Sequence, residues 1–205
     1  MIRKFAHQNP VFLRNTARIL HFLALSLLIS CGNTSEKDDS SPPADNAPIL
    51  ETAEPNNLST KINAMYGRYK ADAFPDTPDI SVAQLLTSEK ENPDPPYLLV
   101  DCRTPDEQAV SVIPDSITRS DFDAHQKNYT ERTVVVYCTI GYRSGLYTRE
   151  LNQRGIKALN LKGGVLAWAL ARQPFLNPET NNETKRVHVF GPDWNLLPPD
   201  YTPVF

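Results

Sequence analysis

Two short runs, Tyr97-Leu-Leu-Val-Asp-Cys102 and Thr133-Val-Val-Val-Tyr-Cys138, constrain the fold of this chain more than any other feature. Both are nearly continuous apolar stretches of aliphatic and β-branched residues. A strand that is apolar at almost every position, not at alternate ones, has no face to give to water. It must be covered on both sides, as in a parallel sheet flanked by helices. Helical signals surround the two runs. Leu58, Ile62, Met65/Tyr66 and Tyr69 form one apolar stripe, predicting a helix over Leu58 to Lys70. Ser81-Val-Ala-Gln84 reads as a capping box that starts a short helix, Val82 to Leu86. A further helix is expected from Ser144 to Arg154, closed by Gly155, then a strand from Ile156 to Leu161. Gly163-Gly164 opens a last helix, Val165 to Ala171, before Pro174. Strands alternating with helices predict an α/β domain built on a central, mostly parallel sheet flanked by helices. Reactive groups in such folds stand at the carboxyl ends of strands, which is where Cys138 falls.

A chain of 205 residues has room for one ordinary domain with extensions, and its 18 prolines fit Pro-rich segments outside a compact core. A net charge of -3 without any Lys/Arg-rich run argues against nucleic acid as a partner. The three cysteines, Cys31, Cys102 and Cys138, include no CxxC pair. A disulfide scaffold, a zinc site and a thioredoxin-type centre are therefore not expected, and no metal or cofactor is called for.

The first thirty residues lack Asp and Glu but carry Arg3, Lys4, Arg14 and Arg18, followed by an apolar run from Ile19 to Ile29. That run is shorter than the ~20 residues needed to span a bilayer and fits the core of a secretory signal peptide over residues 1–30. Leu28-Ile-Ser-Cys31-Gly32 resembles the bacterial lipobox, which implies that Cys31 is lipidated. Several acyl chains on one residue anchor a protein stably, whereas one chain binds membranes weakly. The expected location is the cell envelope, with Gly32 favouring an outer membrane facing the periplasm in a Gram-negative cell. Residues 31–57 are polar and Pro-rich and read as a lipidated, disordered tether. The expected organisation then continues with a helical extension over 58–77, the α/β domain over 78–176, and a tail over 177–205. The apolar residues of the tail, Val187 to Trp194 and Leu196-Leu197, are expected to dock on the domain.

The segment Cys138-Thr139-Ile140-Gly141-Tyr142-Arg143-Ser144 reads as a strand end, a tight loop and a helix start. Inward-pointing N–H groups in such a loop, with the helix N-terminus, make an anion cradle that favours a thiolate. Gly141 lets the backbone turn, and Arg143 offers a planar cationic fork. The residues alone leave two readings of Cys138: a nucleophile acting on an anionic substrate, or a cysteine simply buried at a strand end.

Cys138-x-x-Gly141-x-Arg143 resembles the active-site loop of single-domain rhodanese-like sulfurtransferases. Asp101-x-Arg103-x-x-x-Glu107 is similar to that family's upstream motif, Ile113-Pro114 to its Ile-Pro step, and Leu161-x-Gly163-Gly164-x-x-x-Trp168 to its closing motif. The resemblance covers residues 78–173. It implies that Cys138 takes the outer sulfur of thiosulfate or a similar small anionic donor as a persulfide and passes it to a thiol or cyanide-like acceptor. Thr139, Ile140, Gly141, Tyr142 and Arg143 would bind the donor. Asp101, Arg103 and Glu107 would support the site, with Arg103 paired to Glu107. The six-residue loop from Cys138 to Arg143 matches the sulfurtransferases, whereas related phosphatases have one residue more. Ser111-Val112 and Asp115-Ser116 depart from the family's usual Gly-His and Gly-Ala. Cys102 stands where Val is usual; it either fills that apolar site or serves as a redox partner of Cys138. His188 is either a second active-site group or a packed residue. The alternative to an enzyme is a non-enzymatic persulfide carrier that serves a partner protein.

Overall fold

The computed structural model describes residues 55–91 and 97–205. The expected signal peptide, Cys31 and nearly all of the tether lie outside the described residues. Helix α1, Pro55–Ala73, is followed by β1 (Asp79–Ile80), α2 (Val82–Glu91), β2 (Tyr97–Asp101) and α3 (Pro105–Val110). Then come β3 (Ile117–Thr118), α4 (Arg119–His125), β4 (Thr133–Tyr137), α5 (Tyr142–Gln153), β5 (Ala158–Leu161) and α6 (Gly164–Leu170). Beyond Pro174 come β6 (Phe175–Leu176), at the end of the domain, and β7 (Glu183–Thr184), β8 (Arg186–His188) and β9 (Thr202–Val204) in the tail.

The main sheet has the order β1-β5-β4-β2-β3, and every pairing in it is parallel. The two apolar runs lie side by side as β2 and β4, in register from Tyr97↔Thr133 to Asp101↔Tyr137. All five residues of β4 are buried, as expected of a central strand covered on both faces. Alternation along the strands sorts their side chains into two cores. Leu99, Val135 and Tyr137 join Ile62, Tyr66, Phe74, Val165 and Leu166 on the α1/α6 face. Leu98, Val100, Val134 and Val136 join Phe122, Tyr147 and Leu151 on the α4/α5 face. Each fully buried valine contributes roughly 1.5–3 kcal/mol relative to leaving it in water.

Helix α1 is longer than its apolar stripe. Pro55 opens it, where a missing N–H is harmless, and Lys70 ends it by donating to Asp79 Oδ2 at 2.6 Å and to the Thr77 carbonyl at 2.7 Å. Helix α2 runs past Leu86 to Glu91, because the apolar pattern stops there but the residues that follow still favour helix. Its capping box is present: Gln84 accepts from the Ser81 N–H, and Ser81 Oγ accepts from the Gln84 N–H. Helices α3 and α4 carry no apolar periodicity long enough to read, and each is started by a threonine cap, Thr104 and Thr118.

Strands β6 and β7 form an antiparallel pair and β8 and β9 a parallel one. Val187 and Val189 are completely buried in the α1/α6 core, with Leu197 and Tyr201 nearly so. Segments on both sides of the α/β domain are thereby packed against one face of the sheet.

Candidate active site

Cys138 immediately follows β4, and the loop from Cys138 to Gly141 leads into α5. The loop turns at Gly141, whose φ of 104° lies in the left-handed region; a Cβ there would stand 2.7 Å from the Tyr66 ring. The Gly141 N–H donates to Cys138 Sγ at 3.2 Å, and the Ser144 hydroxyl donates to the same sulfur at 3.4 Å. Buried Asn160 steadies the turn from behind, donating to the Gly141 carbonyl at 3.0 Å and to Tyr66 Oη at 3.0 Å. Tyr66 in turn donates to Asp79 Oδ1 at 2.5 Å. From the other side the start of α6 closes on the loop. Val165 N–H donates to the Cys138 carbonyl at 3.0 Å, an approach so close that a Cβ on Gly164 would fall 2.1 Å from that oxygen.

Burial alone pushes the Cys138 thiol up. It is overcome by hydrogen bonds from the Cys102 thiol and from the hydroxyl and N–H of Ser144, with the Arg143 charge adding to them, so that the thiol is held well below its usual value. Cys102 moves the opposite way: its hydrogen bond to Cys138, then its own burial, push its thiol well above the usual value. The two thiols are thus pushed in opposite directions, Cys138 toward the thiolate and Cys102 toward the protonated form. This follows from register, since the Cys102 N–H extends the β2–β4 ladder to the Tyr137 carbonyl at 3.0 Å and sets the two cysteines side by side. Both are free thiols, Cys138 buried and Cys102 partly exposed.

The ion pairs behind the loop differ from those implied by the family motif. Arg103 and Glu107 do not join their side-chain charges. Arg103 instead folds back on Asp101, with Nε 3.0 Å from Oδ1 and Nη2 2.7 Å from Oδ2, and uses Nη2 again on the Ser111 carbonyl at 2.6 Å. Asp101, two residues away on the strand end, already fills the fork. Glu107 is left for Arg143: Nη1 meets Oε2 at 2.6 Å and Nη2 meets Oε1 at 2.7 Å. Thr139 closes the group, donating to Glu107 Oε1 at 3.1 Å and accepting from Arg143 Nη2 at 3.1 Å. Burial would raise the Glu107 carboxyl, but the Arg143 guanidinium and then the Thr104 N–H bring it down to about 2. Arg143, expected as a donor-binding fork, thus has that fork committed to Glu107, and its outer edge borders the cavity over Cys138.

That cavity measures about 450 Å³. Cys138, only 1% exposed, forms its floor with Thr139 and Ile140, and Tyr142 and Arg143 stand at its side. Its roof consists of Tyr69 from α1 and Phe190 and Trp194 from the tail. The five predicted loop residues Thr139 to Arg143 are brought together around Cys138, while Asp101 and Arg103 stand behind it. Nothing in the sequence singles out Ser144, Asn160 or the three roof residues for the site: Ser144 reads only as part of helix α5, and Tyr69 only as part of an apolar stripe. His188 lies outside the cavity lining, where its Nδ1 accepts from the Phe190 N–H at 3.2 Å. The departures from the family motif are also accommodated. Asp115 takes a φ of 60°, which short polar side chains tolerate, at the position of a usual glycine. Ser116 Oγ lies 2.9 Å from Tyr137 Oη.

The family model for the rhodanese-like domain matches residues 82–171. A sulfurtransferase of Allochromatium vinosum is 39% identical over 89 residues, which are 40% of this chain and 80% of that protein. The putative sulfurtransferase YtwF of Bacillus subtilis is 31% identical over 99 residues, 47% of this chain and 94% of that protein. Among solved structures, a rhodanese-related protein from Thermoplasma volcanium aligns at 25% identity with a TM-score of 0.42, covering 49% of this chain and 98% of that one. Tyr69, Phe190 and Trp194 lie outside the residues matched by the family model.

Proposed function

This chain belongs to the rhodanese-like family, and we propose that it is a sulfurtransferase that works through a persulfide on Cys138. The Cys138 thiolate attacks the outer sulfur of thiosulfate or a similar anionic donor. A sulfur–sulfur bond forms to Sγ, the bond between the two donor sulfurs breaks, and sulfite leaves with its electron pair. A thiol, or cyanide in the test tube, then attacks the outer sulfur of the persulfide and returns Cys138 to the thiolate. The chain's own residues hold the charge through both steps. The Gly141 N–H and the Ser144 hydroxyl already point at Sγ, and the Cys102 thiol beside it favours the same charge. Arg143, fixed by Glu107, acts as a positioning residue and supplies positive potential at the cavity wall.

The observation that carries this reading is the donor set converging on Cys138 Sγ at the floor of a cavity. A thiosulfate:cyanide assay on the wild type and on Cys138→Ser tests it, with activity expected only in the wild type. The near-complete burial of Sγ favours one second reading. In it Cys138 shelters a persulfide for a partner protein, so that the mass of one extra sulfur is retained on Cys138 without turnover to small acceptors.

The proposed location is the cell envelope, through lipid on Cys31 after removal of residues 1–30. Membrane fractionation of the wild type and of Cys31→Ala tests this; equal membrane retention of the two would sink it.

A further inference from the structure

We propose that the cavity over Cys138 receives an organic sulfur donor that carries a flat apolar group, preferably aromatic, in preference to a bare inorganic anion. The proposal rests on the persulfide reading above and assigns the substrate class.

The roof is an aromatic array. Tyr69 stacks on Trp194 with ring centres 5.8 Å apart and planes 13° from parallel. Tyr142 leans on Tyr69 at 5.1 Å, and Phe190 on Trp194 at 5.3 Å. Two segments outside the family-matched residues, α1 and the tail, converge to build it. Phe190 holds a φ of 71°, a strained conformation for a bulky residue, yet the residue remains 61% exposed. Strain retained to present an apolar ring to the mouth of a reactive cavity, and not to bury it, is accounted for by a ligand that covers the ring.

Charge points the same way. Among the described lining residues Arg143 is the one cationic side chain, and Glu107 occupies both of its terminal nitrogens. A small dianion would therefore find no free guanidinium fork there and leave most of the 450 Å³ to water. That volume falls within the roughly 300–1,000 Å³ range of organic-ligand pockets.

The reaction with a thiosulfonate, R–SO₂–S⁻, balances without a proton. The Cys138 thiolate bonds the outer sulfur, the bond from that sulfur to the sulfonyl sulfur breaks, and the sulfinate departs with the electron pair.

The test compares benzenethiosulfonate with methanethiosulfonate, which share charge and reacting atoms, with cyanide as acceptor and each rate normalised to that with a small free thiolate. The expected preference in kcat/KM for the aromatic donor is about tenfold or more. It should fall several-fold in Trp194→Ala and in Tyr69→Ala. A normalised ratio near one, or a high ratio that both variants preserve, overturns the proposal. A second measurement on the wild type needs no turnover: benzenesulfonate should protect Cys138 from alkylation at about tenfold lower concentration than methanesulfonate does, and equal protection overturns the proposal. Absence of transfer from any donor would sink the persulfide reading but leave the protection result to decide this one.

Discussion

Both terminal nitrogens of Arg143 meet both carboxylate oxygens of Glu107, at 2.6 and 2.7 Å, so the arginine of the loop is clamped from α3, an element that precedes it by more than thirty residues. The Glu107 side chain is nearly buried and that of Arg143 about one-third exposed. Removing the arginine leaves a carboxylate with little access to water. Arg143→Ala is expected to lower stability by about 2–3 kcal/mol, less than for a fully buried pair because water reaches the arginine. Urea unfolding of the variant beside the wild type measures this. Arg143→Lys, which cannot engage both oxygens, should recover only part of the loss.

The same pair sets an acid limit. The Glu107 carboxyl is held at about 2 against an ordinary value of 4.5, so its folded form binds protons less readily than its unfolded form. Its contribution is complete above about pH 5 and is lost as the pH falls toward 2; it is on the order of 3 kcal/mol before discounting for the exposed arginine. Unfolding free energy measured from pH 6 to pH 3 should fall less steeply in Glu107→Gln, which also starts lower, than in the wild type. Parallel curves would contradict this.

The Cys102 thiol beside Cys138 favours the Cys138 thiolate, and its own thiol is pushed the other way. Cys102→Val, which restores the family's usual residue, removes that influence. The midpoint pH for alkylation of Cys138 should move upward, and alkylation in mildly acidic buffer should slow. An unchanged pH profile would show that the loop and Ser144 suffice on their own.

Gly164→Ala tests how closely α6 approaches the loop. The new Cβ would lie 2.1 Å from the Cys138 carbonyl, a backbone atom that cannot step aside alone. The expected loss is about 2 kcal/mol or more from strain and lost packing. Alkylation of Cys138 should change as well, since the carbonyl and the sulfur belong to one residue. Thermal unfolding followed by circular dichroism, with thiol labelling, gives both readouts.

The parallel sheet was legible because β2 and β4 are apolar at nearly every position, and a strand with no polar face has few places to go. The reactive loop was legible because a cysteine, a glycine and an arginine stand in a short window at a strand end. Ion-pair partners were not. Arg103 has two acids within reach, Asp101 and Glu107, and only the geometry of the β2 end shows that Asp101 takes the fork. The short helix α3 was hidden although Thr104-Pro-Asp-Glu107 is a capping signal, because no apolar periodicity follows it. The roof over Cys138 was the least readable part. Tyr69 is indistinguishable from a core residue in its stripe, and Phe190 and Trp194 belong to an aperiodic tail whose position depends on Val187 and Val189 entering the distant α1/α6 core.

Whether Cys138 carries the transferred sulfur is read from intact mass and peptide mapping after brief exposure to thiosulfate or an aromatic thiosulfonate without reductant. The expected result is one added sulfur atom, located on the Cys138 peptide, removed by cyanide with formation of thiocyanate and absent in Cys138→Ser. A folded wild type with no sulfur on that peptide, or with the same adduct in Cys138→Ser, would contradict it.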